Sequence, residues 1–152
     1  MTLPKLSPSA LFLMTFTAGI VLSWYMPWHI SLFVDMSLVR FLGIVLLLVS
    51  LTLNTLSYRA FQKYNTPYAP FSHPKILIQQ GIFGLSRNPV YLALIVSELG
   101  LAFVFDSIWL LLGSGVLFFT LHYLIVRHEE KILAHTFKET YVHYKTITRR
   151  WL

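Results

Sequence analysis

The chain has 152 residues, enough for one domain; 56% are hydrophobic and only 12% charged, against roughly 25% charged in an average soluble domain. There is no cysteine, which excludes disulfides, thiolate nucleophiles and cysteine-ligated zinc, and no metal is expected. The net charge of +6 raises nucleic acid as a partner, but the basic residues flank apolar blocks, where orientation and anionic lipid headgroups explain them better, so none is expected.

The first apolar block, 10–26, is slightly short for a crossing, which takes about 20 residues at 1.5 Å each. Trp28 beyond it can sit in an interface. A signal peptide is the competing reading, with Lys5 as a weak basic region, but the block ends in Trp24-Tyr25-Met26-Pro27-Trp28 where cleavage needs small residues; a retained helix is expected. The second block, 37–58, carries Arg40 near one end, where it can snorkel to the interface, and Asn54 toward the other.

The loop 59–88 contains Pro67, Pro70, Pro74, Gly81 and Gly84. A structureless loop of that length is uncommon in a compact protein. Its apolar residues (Phe61, Tyr64, Tyr68, Phe71, Ile76, Leu77, Ile78, Ile82, Phe83) are too many for disorder, so it should lie on the membrane face and fold over something. The third and fourth blocks, 90–105 and 107–126, meet at Asp106-Ser107, which allows only a tight helical hairpin; Tyr91 and Trp109 are further interfacial residues. In the tail 127–152, Leu133, Phe137, Tyr141 and Tyr144 recur at three- and four-residue spacing, an amphipathic helical stripe. There is no internal repeat or low-complexity run.

Arg59, Lys63, Lys75 and Arg87 stand in the loop segment without one acid, and Arg127, Lys131, Lys138, Lys145, Arg149 and Arg150 in the tail. The two short opposite connections offer Asp35, Asp106 and His29 but no Lys. Both termini and the long loop are therefore expected in the cytoplasm, with a prokaryotic cytoplasmic membrane as the expected location. The expected fold is all-α: one polytopic membrane domain, 1–152, with four transmembrane helices, a cytoplasmic loop and an amphipathic C-terminal helix. Nothing in the sequence sets the oligomeric state.

Two polar motifs bracket the hairpin. Ser86-Arg87-Asn88-Pro89-Val90-Tyr91 precedes the third block and Arg127-His128-Glu129-Glu130 follows the fourth. Two crossings return the chain to its starting side, so the two motifs are expected to meet at one face. Pro89 suits the first turn of a helix, and Asn88 before it is placed to cap. Arg87 then lies just outside a helix N-terminus, whose partial positive charge and free amides, with the guanidinium, would hold a carboxylate or phosphate. Glu129 and Glu130 add negative charge nearby and would accept from hydroxyls or attract a cation, which together suits a zwitterionic, partly cationic ligand. The plain alternative is an anchoring Arg87 and a solvated Glu pair balanced by Arg127 and Lys131.

Within the apolar blocks, helix rise puts Asn54, Tyr91 and His122 in one layer, either as part of a site or as interhelical hydrogen bonds. Glu98 falls near the middle of the third helix, where it must be neutral, partnered or hydrated; a cavity wall, a bond to a neighbouring helix and Arg40 are the options. Ala93, Ser97, Gly100 and Gly113-Ser114-Gly115 are small residues that let helices approach.

The run Gly81-Ile82-Phe83-Gly84-Leu85-Ser86-Arg87-Asn88-Pro89-Val90-Tyr91-Leu92 resembles the "G-x-[FY]…R-[HN]-P-x-Y" signature of the isoprenylcysteine carboxyl methyltransferase and phospholipid methyltransferase superfamily. Glu129-Glu130-Lys131-Ile132-Leu133 followed by Phe137, Tyr141 and Tyr144 is similar to its "E-E-x-x-L…F-G-x-x-Y-x-x-Y" tail, and Arg149-Arg150-Trp151-Leu152 to its usual ending. The likeness covers about 66–152. Lys138 stands where a Gly usually follows the Phe, which alters the turn there but removes no ligand. Asn88 replaces the commoner His and loses its titratability.

The resemblance implies a multi-pass methyltransferase using S-adenosylmethionine, with the cofactor enclosed by loop and tail. It implies Leu77, Gly81, Phe83, Arg87, Asn88, Pro89, Tyr91, Glu129, Glu130 and Leu133 as cofactor-binding residues. A lipophilic or membrane-accessible acceptor (a carboxylate, amine, hydroxyl or thiol) would enter from the bilayer. No Rossmann G-x-G-x-x-G follows a strand, so the soluble methyltransferase architecture is excluded. Arg87, Tyr91, Glu98 and His122 are the candidate catalytic residues; for an acceptor that must lose a proton, Tyr91, Glu98 and His122 are in reach. The competing functions are an NADPH-dependent membrane reductase of the sterol-reductase type and a non-catalytic membrane scaffold.

Overall fold

A computed structural model describes residues 7–67 and 76–152; the readings that fall on Lys5, Tyr68, Pro70, Phe71, Pro74 and Lys75 lie outside them. The described residues are helical, with no strand among them. Helix α1 is Pro8–Tyr25, begun by Ser7, whose hydroxyl accepts from the Ala10 amide, and by Pro8 in its first turn, as helix starts favour. A short 3₁₀ turn, Ile30–Leu32, leads to α2, Met36–Lys63, capped by the Asp35 carboxylate on the Ser37 and Leu38 amides. A single turn, α3, Ile82–Leu85, lies in the long loop, with Gly81 at φ 64° before it, a backbone conformation easy only for glycine. Helix α4 is Pro89–Val104 and α5 is Ile108–Thr120, joined across Asp106-Ser107 with Ser107 capping Leu110. Six residues of wider, π-type winding, Leu121–Val126, carry α5 without a break into α6, Arg127–Ile147.

Three stretches, Pro8–Tyr25, Met36–Lys63 and the continuous Ile108–Ile147, are long and apolar enough to cross a membrane, and α4 is a shorter apolar helix. Their outward faces carry large exposed apolar side chains, among them Leu13 and Val21 on α1, Phe41, Leu48 and Leu51 on α2, and Leu112, Val116 and Phe119 on α5. In water such area would be costly; in a bilayer it faces its own kind.

Helix α4 sits between α2 and α5, and α1 packs on α5. The α2–α4 contact is close because Gly43 and Gly100 meet: a Cβ on Gly100 would stand 3.1 Å from the Gly43 carbonyl, and one on Gly43 would stand 2.9 Å from the Gly100 carbonyl. The Ser50 hydroxyl donates to the Ala93 carbonyl across the same seam. Of the other small residues, Gly113 makes room for the Glu98 carboxyl, whereas Gly115 faces open space.

One end of the bundle is tied by the hairpin turn. The Asp106 carboxylate accepts from the Ser31 amide (2.8 Å) and hydroxyl (2.6 Å), and Trp109 Nε1 donates to the Met26 carbonyl. Trp28 and Trp109 pack edge to face there at 6.0 Å, as interfacial residues do. The N-terminus of α1, the loop, the start of α4 and α6 gather at the opposite end.

Candidate functional site

The loop before α4 reaches its helix through Ser86, Arg87 and Asn88. Asn88 does not cap α4, contrary to expectation: its side chain makes no cap bond, and its amide donates to the Arg150 carbonyl at 3.0 Å. The reason is the C-terminal segment, which lies against this loop. There the Arg149 carbonyl takes the Arg87 amide at 3.0 Å and the Arg150 carbonyl also takes the Ser86 hydroxyl at 3.3 Å. The first turn of α4 is thus left uncapped at a cavity wall.

Two pairs join the brackets. The Tyr91 hydroxyl donates to Glu129 Oε1 at 2.7 Å. Arg87 Nη2 stands 3.0 Å from Glu130 Oε1, both side chains nearly buried, at 8% and 12% exposed. Glu130 is also forked by Arg150, with Nε at 3.0 Å and Nη2 at 2.8 Å, and this bond to Glu130 raises the Arg150 pKa. Both Glu130 oxygens are therefore occupied by guanidinium groups. Arg87 keeps Nε and Nη1 buried with no hydrogen-bond partner. A buried guanidinium with unspent donors is the feature of this end that calls for an anion.

The winding of α5 into α6 aims the acids. Leu117, Leu121 and Ile125 are buried at steps of four, and Glu129 and Leu133 continue those steps into the cavity wall. In a regular α-helix each step of four drifts by about 40°. The π-type turn, which takes up an extra residue, removes that drift and keeps the stripe on one side.

The cavity measures about 310 Å³, within the range of small-molecule sites, about 300–1,000 Å³. Of the residues singled out above for cofactor binding, Leu77, Phe83, Arg87, Asn88, Pro89, Tyr91, Glu129 and Leu133 line it. Gly81 and Glu130 do not: Gly81 turns the chain into α3, and Glu130 stands behind Arg87. Phe83 is held by its carbonyl, which accepts from the Tyr144 hydroxyl at 2.5 Å, and by its ring on Phe61 at 5.4 Å. Burial pushes both tail tyrosines up: Tyr144, and Tyr141 to about 12 with the Glu130 charge adding to it.

The expected polar layer divides. Asn54 and Tyr91 line the cavity, and Tyr91, only 8% exposed, faces it rather than the outside of the bundle, where an interfacial anchor would stand. His122 does not line it; the ring stacks at 6.0 Å on Phe118 and 6.2 Å from Trp151, with Nδ1 buried and unpartnered. Glu98 is also away from the cavity. It is fully buried, its Oε2 accepts from the Thr15 hydroxyl at 3.0 Å, and neither cavity nor Arg40 engages it. Of the three expectations for Glu98, the bond to a neighbouring helix is the one seen.

Sequence reasoning missed Ser7, Pro8 and Ser9, which line the cavity from the start of α1, and Thr66 and Pro67 at the end of α2. The charge asymmetry predicts the N-terminus on the same side as the loop, a signal sufficient to find the first three. Arg150 was legible as part of a C-terminal motif, but no feature of the sequence joined it to Glu130.

The family model for phospholipid methyltransferases matches residues 38–140. Those bounds take in α2, both brackets and most of α6. The family is one of methyltransferases, not of the reductases weighed above. No curated protein and no solved structure matches the chain significantly.

Proposed function

Because this chain belongs to the phospholipid methyltransferase family, a family of methyltransferases on membrane lipid-type substrates, we propose that it transfers a methyl group from S-adenosylmethionine to a lipophilic acceptor taken from the bilayer. The observation that carries the reading is Arg87, which lines the cavity with Nε and Nη1 buried and unpartnered. A carboxylate is the natural partner for those donors, and S-adenosylmethionine, which bears one, also carries an ammonium and ribose hydroxyls for Glu129 nearby. When bound, S-adenosylmethionine supplies a methyl group on a sulfonium, open to in-line displacement.

The chain's own residues have four tasks in this proposal. Arg87 binds the carboxylate, supported by the first-turn amides of α4. Tyr91 orients Glu129 through its 2.7 Å hydrogen bond, and Glu129 accepts from the cationic or hydroxyl part of the ligand. Leu77, Ile78, Phe83 and Leu133 exclude water, leaving alignment of the reacting groups as the larger contribution to rate. A carboxylate acceptor needs no general base. An amine, hydroxyl or thiol acceptor must lose a proton, and of Tyr91, Glu98 and His122 it is Tyr91 that lines the cavity. The site end faces the cytoplasm in this proposal, with α4 as the fourth crossing.

The test is calorimetric titration of S-adenosylmethionine into the detergent-purified protein. Arg87→Ala and Glu129→Gln are each expected to weaken binding by about 1.5–3 kcal/mol, as for hydrogen bonds to charged groups, with helical circular dichroism unchanged. Unchanged affinity in both folded variants would overturn the site. Transfer of labelled methyl groups into a total lipid extract, with mass spectrometry of the product, identifies the acceptor; no transfer would leave a non-catalytic scaffold.

A further inference from the structure

Glu130 is where three segments meet. Its Oε1 takes Arg87 Nη2 and Arg150 Nε, each at 3.0 Å, and its Oε2 takes Arg150 Nη2 at 2.8 Å. Arg150 therefore grips the carboxylate in the bidentate geometry that matches guanidinium to carboxylate, while Arg87 is held through one nitrogen. Arg150 does not line the cavity, and its side chain is 36% exposed.

A carboxylate between two guanidinium groups is divided by geometry. Without the Arg150 fork, both Glu130 oxygens would be open to Arg87, whose Nε or Nη1 would complete a bidentate pair of its own. Those buried donors, now unpartnered, would gain the partner they lack from inside the protein. Arg87 would then have little left to offer an anion in the cavity.

We propose that Arg150 is a positioning residue that keeps Arg87 available: by forking Glu130 it stops that carboxylate from closing on Arg87, and so reserves Arg87 Nε and Nη1 for the carboxylate of the bound ligand. This role rests on the reading that S-adenosylmethionine binds here with its carboxylate at Arg87. It also gives the C-terminal segment a part in the site. Through the Arg149 and Arg150 carbonyls the same segment holds the Arg87 amide and the Asn88 side chain, so one short stretch fixes both the position of Arg87 and its free valence.

The experiment compares S-adenosylmethionine with its decarboxylated analogue, titrated calorimetrically into the full chain in detergent as wild type, Arg150→Gln and Arg150→Lys. The wild type is expected to prefer the carboxylate-bearing ligand. Arg150→Gln is expected to lose affinity for S-adenosylmethionine by about tenfold or more while holding the decarboxylated analogue within about twofold of wild type. Arg150→Lys keeps the charge but cannot form the fork, so its loss should fall between. Equal losses for both ligands, no loss for either, or failure of both variants to fold would each overturn the role in favour of a structural clamp. A wild type that binds the two ligands equally would overturn the Arg87 assignment and this role with it, whatever the variants do.

Discussion

At Lys138 the backbone stands at φ 45°, ψ −118° inside α6, where a Cβ crowds the neighbouring carbonyl and glycine alone is at ease. The helix is kinked there; Leu133 before the kink and Tyr144 after it both line the cavity, and Tyr141 is buried alongside. Lys138 bears the strain of a side chain at that point, on the order of 1–3 kcal/mol. Lys138→Gly is therefore expected to raise stability by about 1 kcal/mol, since relief of strain exceeds the entropy glycine adds to the unfolded chain. Thermal unfolding in detergent measures it, and a lowered midpoint would show that the strain is absorbed elsewhere. Glu98 is the other residue at which local chemistry decides: its carboxyl is fully buried, and it fits because Thr15 donates to it and Gly113 has no side chain to occupy the space.

Among the elements, the hairpin turn between α4 and α5 is tied to the connection between α1 and α2 through Asp106. Burial pushes the Asp106 carboxyl up, but the Ser31 hydroxyl and amide, the nearby His29 and the Ile30 amide together hold it below the ordinary carboxylate value. A carboxyl lowered in the folded state contributes stability that is complete above its unfolded value, about 3.9, and disappears as pH falls through the folded pKa. The wild-type unfolding midpoint should therefore drop more steeply below about pH 4 than that of Asp106→Asn. Parallel profiles would mean that the tie contributes nothing. The loop before α4 follows a different logic. Its apolar residues Ile78, Ile82 and Phe83 bury themselves against Leu53, Phe61 and Tyr64 of the second helix region, so the cavity roof is held by packing rather than by charge.

For the whole molecule, the expected orientation is open to direct measurement because the native chain has no cysteine. Lys145→Cys at the site end and Leu32→Cys at the opposite end both place a thiol at an exposed position. In intact cells an impermeant thiol reagent should label the second and spare the first until the membrane is opened; the reverse pattern would invert the orientation. Blocks of apolar residues of crossing length, Pro89 opening a helix and the Asp106-Ser107 turn were all legible along the chain, because each depends on near neighbours and on the solvent that an element faces. The sequence alone also determined that the Arg87 and Glu129-Glu130 motifs share one end, since a tight hairpin of two apolar helices brings the chain back to where it started. Only the tertiary structure decided what each does there. It gave Glu130 to Arg87 and Arg150 together, paired Tyr91 with Glu129, turned Asn88 from a cap to the C-terminal carbonyls, and kept Glu98 and His122 off the cavity. Each of those outcomes is a competition among several charged or polar groups for the same few hydrogen bonds, won by distance and angle between segments far apart in the chain, and periodicity holds no record of it.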